Sequence, residues 1–397
     1  MRKIDFAEVE KIWDNNRDPV MLYIHSPYCR QICTYCVYRG VLKDANFDKY
    51  FSSHLPSQVD KYREIIGRQD VQVMYFGGGT PNFDGLSHMI PVFEKTKDIP
   101  CREKVIELHM GIPVTDDDLA LLLKYGFTTV ILCQQTFNGK ILREFNRYAR
   151  DGSNVDVLIG KLHGMGISVG MDLIQFCGLY GDEVKRDLEH VMSFANLPDE
   201  ITVAPLYQLK DIRGFRQWQE AREVVCDRYS GGNMDFDGYM WINTIRLFTE
   251  DAERWMMNGT FYSFIEYLNE TGSSACPTAV IGIGSYKNPC KSTYSYTRAK
   301  TYMERYDGEK TEYFLTREMS FYDKARRLID WMEAISEEDP PIGLTVGICN
   351  NPQFAEHDRD YKDHMGDVSI TLRNGAGSSY LDNLYAKYDP YEVLRGG

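Results

Sequence analysis

The chain lacks any long hydrophobic run. Its longest apolar stretches, such as Leu119–Leu123 and Val130–Cys133, fall far short of the roughly 20 residues needed to cross a bilayer. The opening Met1-Arg2-Lys3-Ile4-Asp5-Phe6 has no apolar segment of the secretory kind, so no signal peptide is expected. A basic stripe is missing as well. With 45 Lys+Arg against 58 Asp+Glu the formal net charge is -13, which repels a phosphate backbone and argues against nucleic acid as partner. Repeats and low-complexity tracts are absent. So is the short, disulfide-dense layout of secreted scaffolds: the ten cysteines are spread through 397 residues, which fits a reducing compartment and metal or redox chemistry at some of them. The expectation is a soluble, cytoplasmic protein with neither membrane nor nucleic acid as partner.

At 43% hydrophobic and 26% charged residues, the composition is that of a globular protein with length for one large domain and a smaller appendage. Between about residues 20 and 208, short β-rich runs alternate with amphipathic stretches, the pattern of parallel βα units. Strands are expected at Val20–Ser26, Val71–Phe76, Lys104–Met110, Thr128–Gln135, Ile167–Phe176 and Ile201–Tyr207. Helices are expected at Phe47–Ile66, Asp84–Thr96, Thr115–Tyr125, Gly139–Tyr148, Val155–Met165 and Glu183–Phe194. Six such units make a partial barrel or an open sheet. The alternation stops after Leu209, and a charged stretch through Trp241 and Arg254 to Tyr267 reads as helical. Three segments are therefore expected: an extension over 1–19, an α/β domain with helical continuation over 20–290, and a small α+β domain covering the substrate over 291–397. In the last, Tyr322–Ile335 reads as helix and Asp367–Leu372 as strand.

Ligands of parallel α/β folds gather at the carboxyl ends of the strands. Directly after the first strand stands His25-Ser26-Pro27-Tyr28-Cys29-Arg30-Gln31-Ile32-Cys33-Thr34-Tyr35-Cys36-Val37-Tyr38. One short loop can thus wrap three corners of a cubane with Cys29, Cys33 and Cys36. Thiolates suit iron-sulfur clusters, and three ligands leave one iron open to an exogenous chelate. Two other readings use the same residues. His25 can complete a Cys₃His zinc site, though such sites usually draw their ligands in two separated pairs. Cys33 and Cys36 can form a redox pair, which leaves Cys29 unexplained.

Tyr23-Ile24-His25-Ser26-Pro27-Tyr28-Cys29, with Cys33, Tyr35, Cys36 and the aromatic Tyr38, resembles the signature of the radical S-adenosylmethionine (SAM) superfamily. Within it the similarity is to the group of oxygen-independent coproporphyrinogen III oxidase and its two-SAM methyltransferase and cyclopropane-forming relatives. The resemblance implies a partial (β/α)6 barrel of TIM type. It also implies a 4Fe-4S cluster at Cys29, Cys33 and Cys36, and one or two SAM molecules cleaved to methionine and a 5′-deoxyadenosyl radical.

Later motifs extend the likeness. Gly77-Gly78-Gly79-Thr80-Pro81 ends the second strand; by itself it reads as a tight βα turn, but it resembles the family's SAM-binding turn, where backbone approaches ligand. Glu107 matches a glutamate that touches SAM, and His109, two residues on and so on the same strand face, reads as a packed or capping histidine. Gln135 and Arg147 resemble the family's SAM-contacting glutamine and arginine, with Cys133 where glycine is usual. Asp172 matches an aspartate that binds a SAM ribose or amine, while Tyr180 stands where the family has proline. Tyr23, Tyr35 and Tyr38 complete the implied cofactor shell. Free cysteines are usually small buried hydrophobes, but Cys133 and Cys177, near strand ends, are candidate hydrogen-atom donors, and Tyr207 is a candidate donor at the barrel mouth.

The resemblance runs over about residues 20–290, with a shorter N-terminal arm than the oxidase has. It implies a radical enzyme acting on a small molecule with flavodoxin or ferredoxin as electron donor. The expected reaction is C-alkylation by a second SAM (methyl transfer or cyclopropanation) or a radical rearrangement. The alternatives are tetrapyrrole chemistry, either coproporphyrinogen oxidation or haem opening, and non-catalytic haem carriage.

Overall fold

The computed structural model describes residues 2–17, 19–36, 40–147, 155–175, 183–205, 229–237, 242–249, 279–287, 294–297, 300–317, 344–348 and 368–372. The strands are β1 (Arg2–Ile4), β2 (Val20–Ser26), β3 (Val71–Gly78), β4 (Glu103–His109), β5 (Thr129–Gln135), β6 (Ser168–Gln175), β7 (Glu200–Pro205), β8 (Tyr229–Asp237), β9 (Ile242–Thr249), β10 (Ala279–Ile283), β11 (Tyr294–Tyr296), β12 (Thr301–Tyr306), β13 (Thr311–Arg317), β14 (Leu344–Ile348) and β15 (Val368–Leu372). Among them run α1 (Phe6–Trp13), α2 (Phe47–Lys49), α3 (Leu55–Ile66), α4 (Ile90–Thr96), α5 (Asp116–Lys124), α6 (Gly139–Glu144), α7 (Val155–Gly164) and α8 (Glu183–Met192). A π-helical turn, Tyr50–His54, joins α2 to α3.

The strands form one sheet in the order β1-β13-β12-β11-β10-β2-β3-β4-β5-β6-β7-β9-β8-β15-β14. From β10 through β2 to β7 every pairing is parallel, and the flanking strands pair antiparallel. This is an α/β fold of the partial TIM-like kind. The six expected strands all occur, with ends displaced by at most two residues, because a parallel sheet covered on both faces needs near-continuous apolar runs; all seven residues of β2 are buried. Helix starts follow local chemistry. Asp5 caps α1, and Thr115 and Asp118 form a reciprocal capping box at α5.

Two readings change. The parallel set has seven strands rather than six, because β10 pairs alongside β2 from Ala279↔Val20 to Ile283↔Ile24. The stretch read as helical after Leu209 contains β8 and β9, which extend the sheet from β7. Its charge suggested a solvated helix, but β9 carries the β-branched Ile242, Thr244 and Ile245, and strand preference is decided by such cross-strand context. At the other end β15 coincides with the strand expected at 367–372, while the helix expected at 322–335 lies outside the described residues.

The core runs along both faces of the parallel sheet. Phe76, Phe93 and Phe127 meet edge to face on one side, with centroids 5.1–5.3 Å apart. Near the C-terminal end of β2, Tyr28 packs against Phe47, Tyr50, Phe51 and Tyr286. Asp44 ties this cluster together, accepting from the hydroxyls of Tyr28 (3.0 Å) and Tyr286 (2.8 Å) and from Lys287 Nζ (2.5 Å). Glu304, opposite Tyr313 in the β12–β13 pair, is fully buried, and burial pushes its carboxyl up to about 8.

Candidate active site

Cross-strand register places one set of polar side chains on one face of the barrel. Tyr23 pairs with Tyr75 and His25 with Gly77; Tyr75 pairs with Val105, which shares a face with Glu107 and His109; His109 pairs with Cys133, and Cys133 with Asp172. Paired residues point the same way and side chains alternate along a strand, so Tyr23, His25, Tyr75, Glu107, His109, Cys133 and Asp172 project from one surface. The rings of Tyr23 and Tyr75 stack at 5.6 Å.

The cysteine loop is closed at its base. Cys29 N donates to Val41 O and Val41 N to Pro27 O, both at 2.8 Å, so the segment between leaves and returns at one place. Within it Cys36 N donates to Cys33 O (3.1 Å), a turn that sets those two residues side by side. The end of α6 steadies the loop: Thr34 N donates to Phe145 O (3.0 Å), Asn146 Nδ2 to Ile32 O (2.8 Å), and Tyr35 packs on Phe145. Cys33 is buried, and Cys29 and Cys36 are partly exposed.

Gly77–Gly79 lies between this loop and Glu107. A Cβ at Gly77 would come within 2.9 Å of the Glu107 carboxylate, one at Gly78 within 2.2 Å of His25 Nδ1, and one at Gly79 within 2.8 Å of Cys29 Sγ. Three consecutive glycines thus touch a carboxylate, an imidazole and a thiol in turn, and Gly78, at φ +107, needs glycine for its backbone also. Gly40 closes the other side, since its Cβ would stand 2.2 Å from Cys29 Sγ.

Glu107 is half-buried and accepts from the Tyr75 hydroxyl (2.7 Å) and from Gly78 N (3.1 Å). Burial nonetheless raises its pKa, with the two donors and the nearby His25 and Arg147 opposing. It is a carboxylate whose charge calls for a cation. Arg147 supplies one close by, donating through Nη2 to Cys133 O (2.6 Å) and through Nη1 to Cys33 Sγ (3.8 Å), and so joins β5 to the cysteine loop. The Cys133 thiol donates to Asp172 Oδ2 at 3.8 Å, and burial drives its pKa well up, with Glu107 and Asp172 adding to the effect. Gln135 ends β5 with φ +72, a conformation rare for a side-chain-bearing residue and a mark of functional sites.

Tyr23, Glu107, Cys133, Gln135 and Asp172 thus lie on β2, β4, β5 and β6, with Gly77–Thr80 at the end of β3, and among the predicted residues Gly79 and Arg147 reach the loop of Cys29, Cys33, Tyr35 and Cys36. Tyr38, Cys177 and Tyr207 lie outside the described residues. His109 is a capping residue: its Nδ1 accepts from Gly111 N (2.9 Å), its backbone pairs with Asn82, and burial lowers its pKa to about 3, so it stays neutral. The sequence reading passed over Tyr75, which holds Glu107, and Gly40, which makes room for Cys29; only the small size of Gly40 after the cysteines signalled it. His25 entered as part of the quoted signature and as a zinc ligand, with no role of its own toward the cluster. It is 1% exposed, and neither ring nitrogen has a hydrogen-bond partner. Among the described residues no three His, Cys, Asp or Glu side chains stand at the spacing of a single metal ion.

Residues 23–195 match the model of the Radical SAM superfamily. The match is to a radical SAM domain and takes in 173 of the 397 residues. Over 204 residues it is 29% identical to the oxygen-independent coproporphyrinogen-III oxidase-like protein HemZ of Bacillus subtilis, covering 48% of this chain and 40% of that protein. The heme chaperone HemW of Buchnera aphidicola is 25% identical over 177 residues, 43% of this chain and 46% of its own. An oxygen-independent coproporphyrinogen III oxidase from Pseudomonas aeruginosa is 24% identical over 225 residues, 50% of this chain and 45% of the enzyme. The matched region spans less than half of each of these relatives. Coproporphyrinogen III oxidase HemN from Escherichia coli superposes with a TM-score of 0.59 at 17% identity, covering 84% of this chain and 79% of that one, a likeness of fold.

The cofactors of a radical SAM domain are a 4Fe-4S cluster and SAM. The residues here suit both: Gly40 and Gly79 leave room for Cys29 Sγ where any Cβ would clash with it, and the half-buried Glu107 carboxylate accepts from the neighbouring Gly78 N. No helix among the described residues is long and apolar enough to cross a membrane.

Proposed function

We propose that Cys29, Cys33 and Cys36 ligate the 4Fe-4S cluster, that one SAM binds between that loop and Glu107, and that the chain performs radical chemistry on a small tetrapyrrole-like molecule. The observation that carries the site is the glycine run Gly77–Gly79, which borders Cys29, His25 and Glu107 at once. The cluster and SAM, when bound, would supply one-electron radical chemistry for hydrogen abstraction from a substrate.

Each residue then has a task that follows from its contacts. Glu107, fixed by Tyr75 and Gly78 N, offers its carboxylate to the amine of SAM as a charge-assisted acceptor. Gly77–Gly79 and Thr80 present backbone to the methionyl end. Arg147 holds the loop against β5 and would pair with the SAM carboxylate, and Gln135 and Asp172 would contact the rest of SAM. Tyr23 and Tyr35 wall the site, and the buried His25 ring offers an N–H toward the cluster side. Cys133 keeps its proton because burial and two carboxylates oppose ionisation, so it retains the S–H bond that a hydrogen-atom donor needs.

The names of the relatives point to coproporphyrinogen or haem, and this tetrapyrrole reading is therefore preferred to alkylation by a second SAM. Haem carriage without catalysis is the second reading, favoured by the match to a heme chaperone.

Anaerobic reconstitution with iron and sulfide, then incubation with SAM, dithionite and coproporphyrinogen or haem, tests the proposal. 5′-Deoxyadenosine with tetrapyrrole turnover is the expected result. Haem binding without 5′-deoxyadenosine selects the carrier, and S-adenosylhomocysteine restores alkylation. Cys33→Ala is expected to lose the cluster and SAM cleavage together; retained cleavage refutes the ligand set.

A further inference from the structure

The described residues contain four exposed large hydrophobic side chains, and two of them flank the cysteine loop: Ile32, 40% exposed, and Leu42, 56% exposed. Cations border both. The Arg30 and Lys43 side chains are 51% and 47% exposed and both lean on Asp84, at 3.8 and 3.5 Å, which places them on one patch. Arg143 is exposed one turn before Asn146, the residue that holds the Ile32 carbonyl. Lys140 and Glu144 of the same helix pair with each other at 4.0 Å and cancel. Arg30, Lys43 and Arg143 against Asp84 therefore leave the patch net positive, on a chain whose total is -13.

An apolar centre with a charged rim is the anatomy of a docking surface. At physiological salt the Debye length is about 8 Å, so an approaching protein responds to the charges at the contact and little to the acidic remainder. Electron transfer falls steeply with distance, and the patch sits on the loop that carries the partly exposed Cys29 and Cys36.

We infer that Arg30, Ile32, Leu42, Lys43 and Arg143 form the docking surface for an acidic one-electron carrier protein that reduces the cluster. The inference rests on the ligand set proposed above and adds the face on which the electron donor docks. The carrier gives up one electron, the cluster gains it, and no atom is exchanged. A small, rapidly exchanging contact suits that task, as electron-transfer interfaces are among the smallest known.

The test uses the reconstituted holoprotein and flavodoxin hydroquinone, with flavin oxidation followed by anaerobic stopped flow and rates expressed per cluster. Lys43→Glu and the double variant Arg30→Glu/Lys43→Glu are compared with wild type between low and physiological salt. The expected result is a drop of about tenfold or more at low salt, a flattened salt dependence, and unchanged reduction by dithionite. Leu42→Ser is expected to weaken flavodoxin saturation without altering the salt slope. Flavodoxin rates equal to wild type in Lys43→Glu, at full iron content, overturn the surface. Wild-type protein that takes up no cluster sinks the ligand assignment instead, so the two failures are distinguishable.

Discussion

Gly79→Ala adds one methyl group to the site, and its cost can be worked from contacts. The new Cβ would lie 2.6 Å from Tyr28 O and 2.8 Å from Cys29 Sγ, where ordinary contact begins near 3.4 Å. Something must therefore yield by about 0.6–0.8 Å, and the nearer neighbour is backbone, which pairing around Cys29 holds in place. Overpacking of this kind costs about 1–3 kcal/mol. For a chain of this length that is no more than about 2–6 °C in the melting temperature, so the variant is expected to fold. The displaced Cys29 Sγ, however, is a proposed cluster ligand. Iron and sulfide content and the charge-transfer absorption after anaerobic reconstitution are expected to fall sharply, while the melt of the apoprotein moves little. Gly164→Ala is the control: a Cβ there meets nothing within 4 Å, and helix-compatible Gly→Ala changes stabilise by about 0.4–1 kcal/mol. Full cluster content in Gly79→Ala would falsify the claim that this glycine makes room for the ligand.

Three further outcomes follow from charge and burial. Glu107→Gln removes a charge-assisted acceptor worth about 1.5–3 kcal/mol, so SAM binding to the reconstituted protein, measured by anaerobic calorimetry, is expected to weaken about 10-fold to 150-fold. Because burial raises the Glu107 pKa above its ordinary 4.5, wild-type affinity for SAM is expected to rise with pH through that titration and then level off. The glutamine variant should show no such rise, and matching profiles count against the assignment. Glu304, raised from 4.5 to about 8, binds its proton more tightly folded than unfolded, so the stability it contributes is full below 4.5 and declines as pH rises toward 8. At ~1.36 kcal/mol per pH unit the decline is bounded at about 5 kcal/mol; Glu304→Gln should abolish it in urea melts at pH 5 and 8, and an equal slope in both proteins contradicts the burial argument.

What could be read in advance was local. β2 to β7 announced themselves because a doubly covered parallel strand leaves few positions for polar residues, and the cysteine spacing needs only one loop to be meaningful. Glu107, Cys133 and Asp172 were visible singly. That they share a face depends on register between strands, which no single segment encodes. Tyr75 went unnoticed because a tyrosine in an apolar run looks like core, and only its hydroxyl on Glu107 distinguishes it. The placement of β10 beside β2 joins residues about 260 apart, a pairing beyond any periodicity argument. β8 and β9 were misread because their composition is polar and their strand state comes from each other.

The position of β10 also governs how the protein can be made. The strand that opens the barrel waits for a neighbour synthesised long after it, and until that neighbour emerges one side of β2 offers bare amides and carbonyls to any passing chain. Contacts this distant in sequence form slowly. A fragment cut at the end of the recognisable domain, near residue 195, would keep every candidate cofactor residue and still expose that flank, so aggregation rather than loss of chemistry would be its failing.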